Sequence, residues 1–342
     1  MGSEPLVAIG MPVYNGARHI EEAVHSLLAQ TECDLVLLVS DDASTDETPE
    51  ICARLAEEDG RVRLVRQPTN LGITGNFLHV LGEASSEFFM WAAQDDRWDP
   101  EFLSEGLTLL RREPDAIGYM PAMRFEDGDG VHLRTTVPPA GLASPDPVRR
   151  ARSVLHDGYH AVYALYRRRV LTDGVELQDI FGTDCAFVFS LALRGRFVLS
   201  SHVRSFRRNI GHEFVSGPRG RLVVAKALGR SGHLYSGNPN AMCASMIRDT
   251  LGSPLSVLDK ARLVLHVGGS RWAPLWRDLM LNDSKFRMRR AMAAGRYVAA
   301  AGLLIRHVLL SPRSFLKVLR RPWARAWRED ATLDDADRRT AG

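Results

Sequence analysis

The sequence predicts a mixed α/β protein with a mainly parallel sheet flanked by helices, followed by a mostly helical C-terminal extension. Apolar runs typical of buried strands alternate four times with amphipathic helical segments in the first third of the chain. Two of the predicted strands end in adjacent aspartates. Beyond about residue 220, helical spacing replaces the strand pattern. We therefore expect a catalytic domain at 1–219 and a helical, basic extension at 220–342.

The composition is that of an ordinary globular protein, with 342 residues, 45% hydrophobic and 25% charged. The formal net charge of +3 gives no overall signature of nucleic-acid binding. Four scattered cysteines without CxxC spacing indicate reduced thiols in a cytosolic protein rather than a zinc site. The first residues lack the basic segment of a signal peptide, and no run of about 18 apolar residues predicts a membrane-spanning helix. We expect a cytoplasmic protein.

The first third of the chain contains four strand–helix repeats. Asp99 followed by Pro100 is typical of a helix N-terminus, and Ser44 with Glu47 three residues later has the spacing of a capping box. Together with the apolar runs, these signals predict strands at 6–11, 35–39, 62–65 and 88–92. The corresponding helices are predicted at 17–30, 45–58, 75–81 and 100–112.

The middle third has a weaker pattern. The apolar run at 116–123 predicts a strand, and a turn and a proline-rich loop follow it at 126–130 and 137–147. The remaining predicted elements are a helix at 148–156, an alternating strand at 160–166, a helix that begins near Asp184 and a strand around 197–199.

Two pairs of acids, Asp41–Asp42 and Asp95–Asp96, follow the second and fourth predicted strands. Because the carboxyl ends of neighbouring parallel strands meet at one edge of a sheet, and open α/β sheets bind ligands there, we expect both pairs in one crevice. Adjacent carboxylates repel each other unless a cation holds them, and Mg²⁺ or Mn²⁺ prefers oxygen ligands. The alternative for either pair is a solvated turn that caps the next helix.

Four segments occur in a characteristic order: MPVYNG at 11–16, VSDDASTDET at 39–48, NLG at 70–72 and AQDD at 93–96. Together they resemble the family 2 glycosyltransferases, which have the GT-A fold. The resemblance covers about residues 5–125. It implies an inverting, hexosyltransferase-type enzyme with a site for a nucleotide-diphosphate sugar.

The same resemblance implies a set of donor-binding residues. Asp42 would accept a hydrogen bond from the ring N–H of a uracil or thymine base, and Asp95 would lie by the ribose and the diphosphate. Asp41 is expected to brace its loop without contacting the donor. The implied nucleotide-sugar-binding set is Pro12, Tyr14, Asn15, Asp42, Asn76 and Asp95.

The resemblance also implies a divalent cation, Mn²⁺ or Mg²⁺, held by Asp96 and Asp95, with His212 as a further ligand through a neutral imidazole. Such a cation stabilises the negative charge that develops on a diphosphate leaving group. The chain departs from the family pattern in two places. Ala93 stands where many relatives carry an acid, and the loop before Asn76 has no arginine or lysine for the phosphates.

Asp184 resembles the catalytic base of inverting family members, although Thr183 replaces the acid that usually precedes it. Inverting transfer needs a carboxylate that takes the proton of the acceptor hydroxyl. A position at a helix N-terminus favours the ionised carboxylate. Asp179 is the alternative base, and Arg207 or Arg208 could pair with phosphate oxygens.

The segment 284–328 contains no acidic residue and interleaves basic with aromatic residues. Such helical segments suit the surface of an anionic membrane. A solvated appendage and a basic oligomer interface are the alternatives. Nucleic acid fits less well, because no recognised binding motif accompanies the charge.

These features predict an inverting glycosyltransferase of polysaccharide biosynthesis for the cell envelope. It would move a sugar from a UDP- or dTDP-sugar to a hydroxyl of a glycan or lipid-linked saccharide, either in the cytoplasm or peripherally at the inner face of the cell membrane. A dehydrogenase is excluded because no GxGxxG follows the first strand. A sugar-nucleotide pyrophosphorylase would need a glycine-rich phosphate loop there. A catalytically silent nucleotide-sugar-binding or membrane-surface scaffold stays open, since Ala93 and Thr183 each replace a frequent family acid.

Overall fold

The computed structural model describes residues 4–156, 158–174, 177–178, 182–208 and 240–269. The chain divides into two compact units, Met1–Gly269 and Ser270–Gly342, and all described residues belong to the first. Asp179, His212 and the basic segment 284–328 lie outside the described residues, as does the predicted boundary between 219 and 220. That boundary stays a prediction.

The first half of the sheet is parallel and follows the predicted alternation of strands and helices. Its strands are β1 (Val7–Val13), β2 (Leu35–Asp41), β3 (Val62–Arg66) and β4 (Phe88–Trp91), in the spatial order β3-β2-β1-β4. The intervening helices are α1 (Ile20–Leu28), α2 (Thr48–Glu58) and α3 (Gly72–Gly82).

The second half of the sheet is mixed, and β8 joins it to the first half by pairing antiparallel with both β4 and β6. Its strands are β5 (Arg97–Trp98), β6 (Ala116–Glu126), β7 (His132–Thr136), β8 (Leu165–Arg167) and β9 (Arg196–Arg208). The spatial order continues β4-β8-β6-β9-β5, with β7 paired to β6. The helices of this half are α4 (Phe102–Arg112), α5 (Pro147–His156), α6 (Arg169–Thr172) and α7 (Thr183–Arg194), with 3-10 helices at Ala140–Ala143 and Gly158–Tyr163.

Two further helices, α8 (Asn240–Gly252) and α9 (Val257–Gly269), complete the described part. α8 lies against α7, and Met242 and Met246 are buried. The contact is close at Gly182, where an added Cβ would lie 2.4 Å from the Met242 sulfur. None of the described helices combines the length and the hydrophobicity needed to cross a bilayer.

The core lies between the sheet and its helices. All seven residues of β2 are buried, as expected for a central parallel strand. Residues at helical spacing on α1 (Ile20, Val24 and Leu27) are fully buried against the sheet. On the other side, α3 packs so closely that a Cβ on Gly10 would lie 2.7 Å from a Val80 methyl.

Trp91 at the end of β4 is the centre of an aromatic cluster that joins four elements. Its ring lies 5.8 Å from Phe77 on α3, 5.5 Å from Phe187 on α7, 6.5 Å from Tyr166 on β8 and 4.9 Å from Phe89. The indole N–H donates to the Phe77 carbonyl oxygen at 3.1 Å. Because aromatic pairs at these distances are stabilising, the cluster fixes α7 relative to the loop that follows β4.

Two sequence-based expectations about local structure are wrong. Ser44 does not cap α2: its hydroxyl accepts from the Asn15 N–H at 2.9 Å, and Asp46 accepts from the Thr48 N–H at 3.1 Å instead. The helix therefore begins three residues later than predicted. The predicted strand 160–166 is mostly 3-10 helix, with only its end in β8.

Candidate active site

Asp42 lies just after β2 and is bound to the N-terminus of α3. One carboxylate oxygen accepts from the Leu71 N–H at 2.6 Å and the other from the Gly72 N–H at 2.9 Å. The Asn70 side chain donates to the Asp42 carbonyl oxygen at 3.1 Å. The NLG motif therefore holds Asp42, which is 2% exposed, and a helix N-terminus suits its negative charge. Each carboxylate oxygen has further lone pairs, and base recognition by Asp42 stays a prediction.

Asp41 braces the same loop, as expected. It is fully buried, and its carboxylate accepts from the Ser44 N–H at 3.2 Å. The other oxygen lies 3.4 Å from Nε of Arg66 on β3. These contacts hold the first acid of the pair in the loop, and the expected lack of a donor contact stays a prediction.

Gln94, to which sequence analysis assigned no role, clamps the loop after β1. Its amide oxygen accepts from the Tyr14 N–H at 2.8 Å, and its amide nitrogen donates to the Tyr14 carbonyl oxygen at 3.1 Å. A Cβ on Gly16 would lie 2.7 Å from the same amide oxygen. The AQDD and MPVYNG segments therefore meet at one point, which positions the partly exposed Tyr14 ring.

Asn15 and Asn76 both bind loop backbone. The Asn15 side-chain oxygen accepts from the Thr45 N–H at 2.9 Å, and its backbone has a positive φ of 50°. Asn76 is 2% exposed and donates to the Ser40 carbonyl oxygen at 2.9 Å. These contacts hold the ends of β1 and β2 together. Pro12 lies on β1 opposite Ser40. Donor contacts of all three predicted residues stay predictions.

The adjacent acids Asp95 and Asp96 have opposite environments. Asp95 is partly exposed, and its side chain makes no hydrogen bond or ion pair with any described residue. Asp96 is 4% exposed and forms a buried ion pair with Arg207 on β9. Its other oxygen accepts from the Arg208 N–H at 2.9 Å. Burial raises the pKa of Asp96, the Arg207 guanidinium opposes that shift, and the charge of Asp95 adds to it.

Tyr163, at the end of a 3-10 helix, lies among the charged groups of the site. The Arg207 guanidinium carbon is 3.8 Å from the centre of its ring, a cation–π contact. Burial raises the pKa of the Tyr163 hydroxyl, and the charges of Arg207, Asp96, Asp95 and Asp184 all act on it. Sequence analysis missed Tyr163, because an alternating apolar segment carries no signal of a site.

Asp184 occupies the first turn of α7. The helix begins after Gly182, whose φ of 73° is in the left-handed region that favours glycine. Burial raises the pKa of Asp184, and the N–H groups of Cys185 and of Asp184 itself partly offset that shift. A carboxylate with a raised pKa accepts a proton more readily, which is the property required of a general base.

A divalent cation does not fit the described residues as they stand. They contain no group of three or more histidine, cysteine or acidic residues that could hold a metal ion. Both oxygens of Asp96 are engaged by Arg207 and Arg208. Asp95 is the one predicted ligand with a carboxylate available among these residues, and His212 lies outside them.

Known proteins are similar to this chain in sequence and in fold. The family model described as Glycosyl transferase family 2 matches residues 8–174. The Mycobacterium tuberculosis protein Rv1520 is 36% identical over 120 residues, 34% of this chain and 35% of that protein. The match thus spans about a third of that relative's length. A Campylobacter jejuni GalNAc(5)-diNAcBac-PP-undecaprenol β-1,3-glucosyltransferase is 22% identical over 205 residues, covering 59% of this chain and 65% of that enzyme.

Among solved structures, Staphylococcus aureus TarS 1–349 in complex with UDP-GlcNAc superposes with a TM-score of 0.58 at 16% identity, covering 87% of this chain and 90% of that chain. At this identity the likeness concerns the fold. The mixed sheet has the architecture of a GT-A fold, and the family match indicates that the chain is a glycosyltransferase. Residues 8–174, just under half of the chain, match the glycosyl transferase family 2 model. The predicted fold class and family are confirmed.

Proposed function

We propose that this chain is an inverting glycosyltransferase that moves a sugar from a UDP- or dTDP-sugar to a hydroxyl of a glycan or lipid-linked saccharide. The observation that carries the proposal is the cluster of Asp96, Arg207 and Tyr163 beside the partly exposed Asp95, in a chain whose residues 8–174 match this family. The UDP-GlcNAc bound by TarS and the lipid-linked acceptor in the name of the Campylobacter enzyme support these substrate classes.

In the proposed reaction, the ionised Asp184 takes the proton of the acceptor hydroxyl. The acceptor oxygen forms a bond to the anomeric carbon from the face opposite the leaving group, so the configuration inverts. The bond from that carbon to the diphosphate oxygen breaks, and the nucleoside diphosphate leaves with the electron pair. Burial of Asp184 supports its role, since it raises the basicity of the carboxylate.

The proposed donor site lies between the loops after β1, β2 and β4. Tyr14 and Asp42 would contact the base, with Pro12, Asn15 and Asn76 shaping the pocket, and Asp95 would face the ribose and diphosphate. The partial exposure of Asp95 and its lack of a hydrogen bond to the described residues support this assignment. Mn²⁺ or Mg²⁺ would be held by Asp95 and His212, and Asp96 would be a further ligand only where the ion displaces Arg207 from it. A cation there supplies charge stabilisation to the diphosphate.

The test is transfer or donor hydrolysis with a panel of UDP-, dTDP- and GDP-sugars, with Mn²⁺, Mg²⁺ or chelator, using lipid-linked and glycan acceptors. Asp184→Asn should bind the donor and lose at least about 100-fold in rate, as expected for loss of a general base. Asp115→Asn, at an exposed position, is the matched control. Undiminished turnover by Asp184→Asn would overturn the assignment of Asp184 and make Asp179 the next candidate.

The competing proposal is a catalytically silent scaffold that binds a nucleotide sugar or a membrane surface. Ala93 and Thr183, which replace frequent family acids, are the features that favour it. A scaffold would bind nucleotide without turnover of any donor in the panel. The basic segment 284–328 supports attachment to an anionic membrane surface in either case, and cosedimentation with anionic vesicles tests it.

A further inference from the structure

A cavity of about 190 Å³ lies at the edge of the sheet opposite the candidate active site. Its walls are the turn 85–87, which precedes β4, and three consecutive arginines at the end of β8. Because β8 runs antiparallel to β4, its end meets the start of β4 at this edge. The acids of the active site follow the other ends of β2 and β4. The cavity is therefore separate from the proposed donor site.

The side chain of Arg167, the first of the three arginines, is bound by residues of the fold. Its guanidinium donates to the carbonyl oxygens of Ala116 at 3.1 Å and Leu110 at 2.6 Å. One terminal nitrogen lies 3.7 Å from the Glu87 carboxylate. Glu87 is the single acid that lines the cavity, so three guanidinium groups face one carboxylate there. The cavity thus has an excess of positive charge.

The other two arginines keep donors available. Arg168 donates from Nε to the Ser86 carbonyl oxygen at 2.8 Å, and its terminal nitrogens bind no described residue. Arg169 is exposed, and its side chain makes no hydrogen bond or ion pair with any described residue. The Ser86 hydroxyl is buried and also lacks a hydrogen-bond partner within the described part of the chain. A buried hydroxyl without a partner is destabilising, and Ser86 is one of the residues that line the cavity.

We propose that this cavity binds a phosphate group. Arg168 and Arg169 offer planar, forked donors that match the spacing of phosphate oxygens. A phosphate presents enough oxygens to accept from both guanidinium groups and from Ser86 together, whereas a carboxylate has only two. The phosphate belongs either to a small soluble molecule or to the headgroup of a membrane lipid.

The experiment is calorimetric titration of the full chain with inorganic phosphate at low ionic strength, in the presence of saturating UDP. Arg168→Gln, Arg169→Gln and Ser86→Ala should each weaken phosphate binding, and the two arginine variants by about tenfold or more, as expected for lost charge-assisted hydrogen bonds. Arg63→Gln is the matched control, because Arg63 is exposed on β3 and its side chain makes no hydrogen bond or ion pair with any described residue. Arg169→Gln tests the site even if Arg168→Gln disturbs the turn, since the Arg169 side chain makes no hydrogen bond or ion pair with the described residues.

Cosedimentation with vesicles distinguishes the two sources of the phosphate. Vesicles that contain phosphatidic acid should retain the wild type more strongly than Arg169→Gln if the ligand is a lipid headgroup. Equal retention of both proteins, with phosphate binding still lost in Arg169→Gln, indicates a soluble phosphate compound. The proposal is overturned if Arg168→Gln and Arg169→Gln match the wild type in both assays. Neither assay depends on glycosyl transfer, so failure here leaves the proposed function untouched.

Discussion

Asp96 and Arg207 form a buried ion pair that closes the loop after β4 onto the end of β9. The two residues are 111 positions apart in the chain. Arg207 also lies over the ring of Tyr163, so one guanidinium contacts both an acid and an aromatic side chain of the site. The Arg207 guanidinium is therefore a cation already bound to Asp96, which was predicted to bind a metal ion. A metal ion would have to compete with Arg207 for Asp96.

We expect Arg207→Gln to lower the free energy of unfolding by about 3–5 kcal/mol, because Asp96 would remain buried without its partner. The same change should strengthen Mn²⁺ binding, measured by electron paramagnetic resonance titration. Arg208→Gln is the control, since its backbone N–H to Asp96 persists. Unchanged Mn²⁺ affinity in Arg207→Gln would show that the ion does not use Asp96.

Gln94→Ala should reduce stability by about 1–2 kcal/mol, since it removes two hydrogen bonds to the Tyr14 backbone. It should also weaken UDP binding, because the loop that carries Tyr14 loses its anchor. Thermal unfolding and calorimetric titration with UDP check the two effects. Gln94→Glu, which keeps an acceptor for the Tyr14 N–H, should lie between wild type and Gln94→Ala. Wild-type UDP affinity in Gln94→Ala would contradict a role of this loop in the donor site.

Asp184→Asn should make the protein more stable at neutral pH while it abolishes transfer. Burial raises the folded-state pKa of Asp184, so the native state holds this proton more tightly than the unfolded state. Stability therefore falls as pH rises from the unfolded-state pKa, about 3.9, through the folded-state value. The stability gain of Asp184→Asn should vanish below that window. Urea unfolding of both proteins at several pH values measures this stability gain. A gain that does not depend on pH would exclude titration of Asp184 as its cause.

Trp91→Ala should lower the free energy of unfolding by about 3–5 kcal/mol, as for other large aromatic truncations in a core. Trp91 touches α3, β8 and α7 through its ring contacts, so the loss should also loosen the placement of Asp184. Trp91→Phe keeps ring packing but loses the hydrogen bond to Phe77, and its smaller destabilisation separates the two contributions. Chemical denaturation is the measurement. A cost below about 1 kcal/mol for Trp91→Ala would contradict the central position of this ring.

The parallel half of the sheet was predictable because its signals are local. Buried strands such as β2 are continuous apolar runs, and the acids at their ends are recognisable in the sequence as adjacent aspartates. The order of the four motifs also led to the correct family. The predicted capping of α2 is wrong because Ser44 and Asp46 are both possible caps in the same loop. Only the tertiary contact of Ser44 with Asn15 decides that Asp46 binds the helix N-terminus.

The parts of the site that sequence analysis missed depend on long-range contacts. Gln94 was read only as part of a motif, yet its contacts are with Tyr14, 80 positions away. Arg207 was considered a phosphate contact, and nothing local indicates that it pairs with Asp96. β5 was missed because a strand of two residues has no pattern, although its pairing with β9 extends the edge of the sheet.

The packing of α8 on α7 sets a lower limit on the length of chain that can fold as an independent unit. A fragment that ended at residue 174, where the family match stops, would have the donor loops but would lack Asp184 and the Arg207 partner of Asp96. A fragment that ended at residue 208 would restore both, yet it would expose the surface near Gly182 that Met242 covers. During synthesis, the surface of α7 near Gly182 therefore stays uncovered until α8 has left the ribosome.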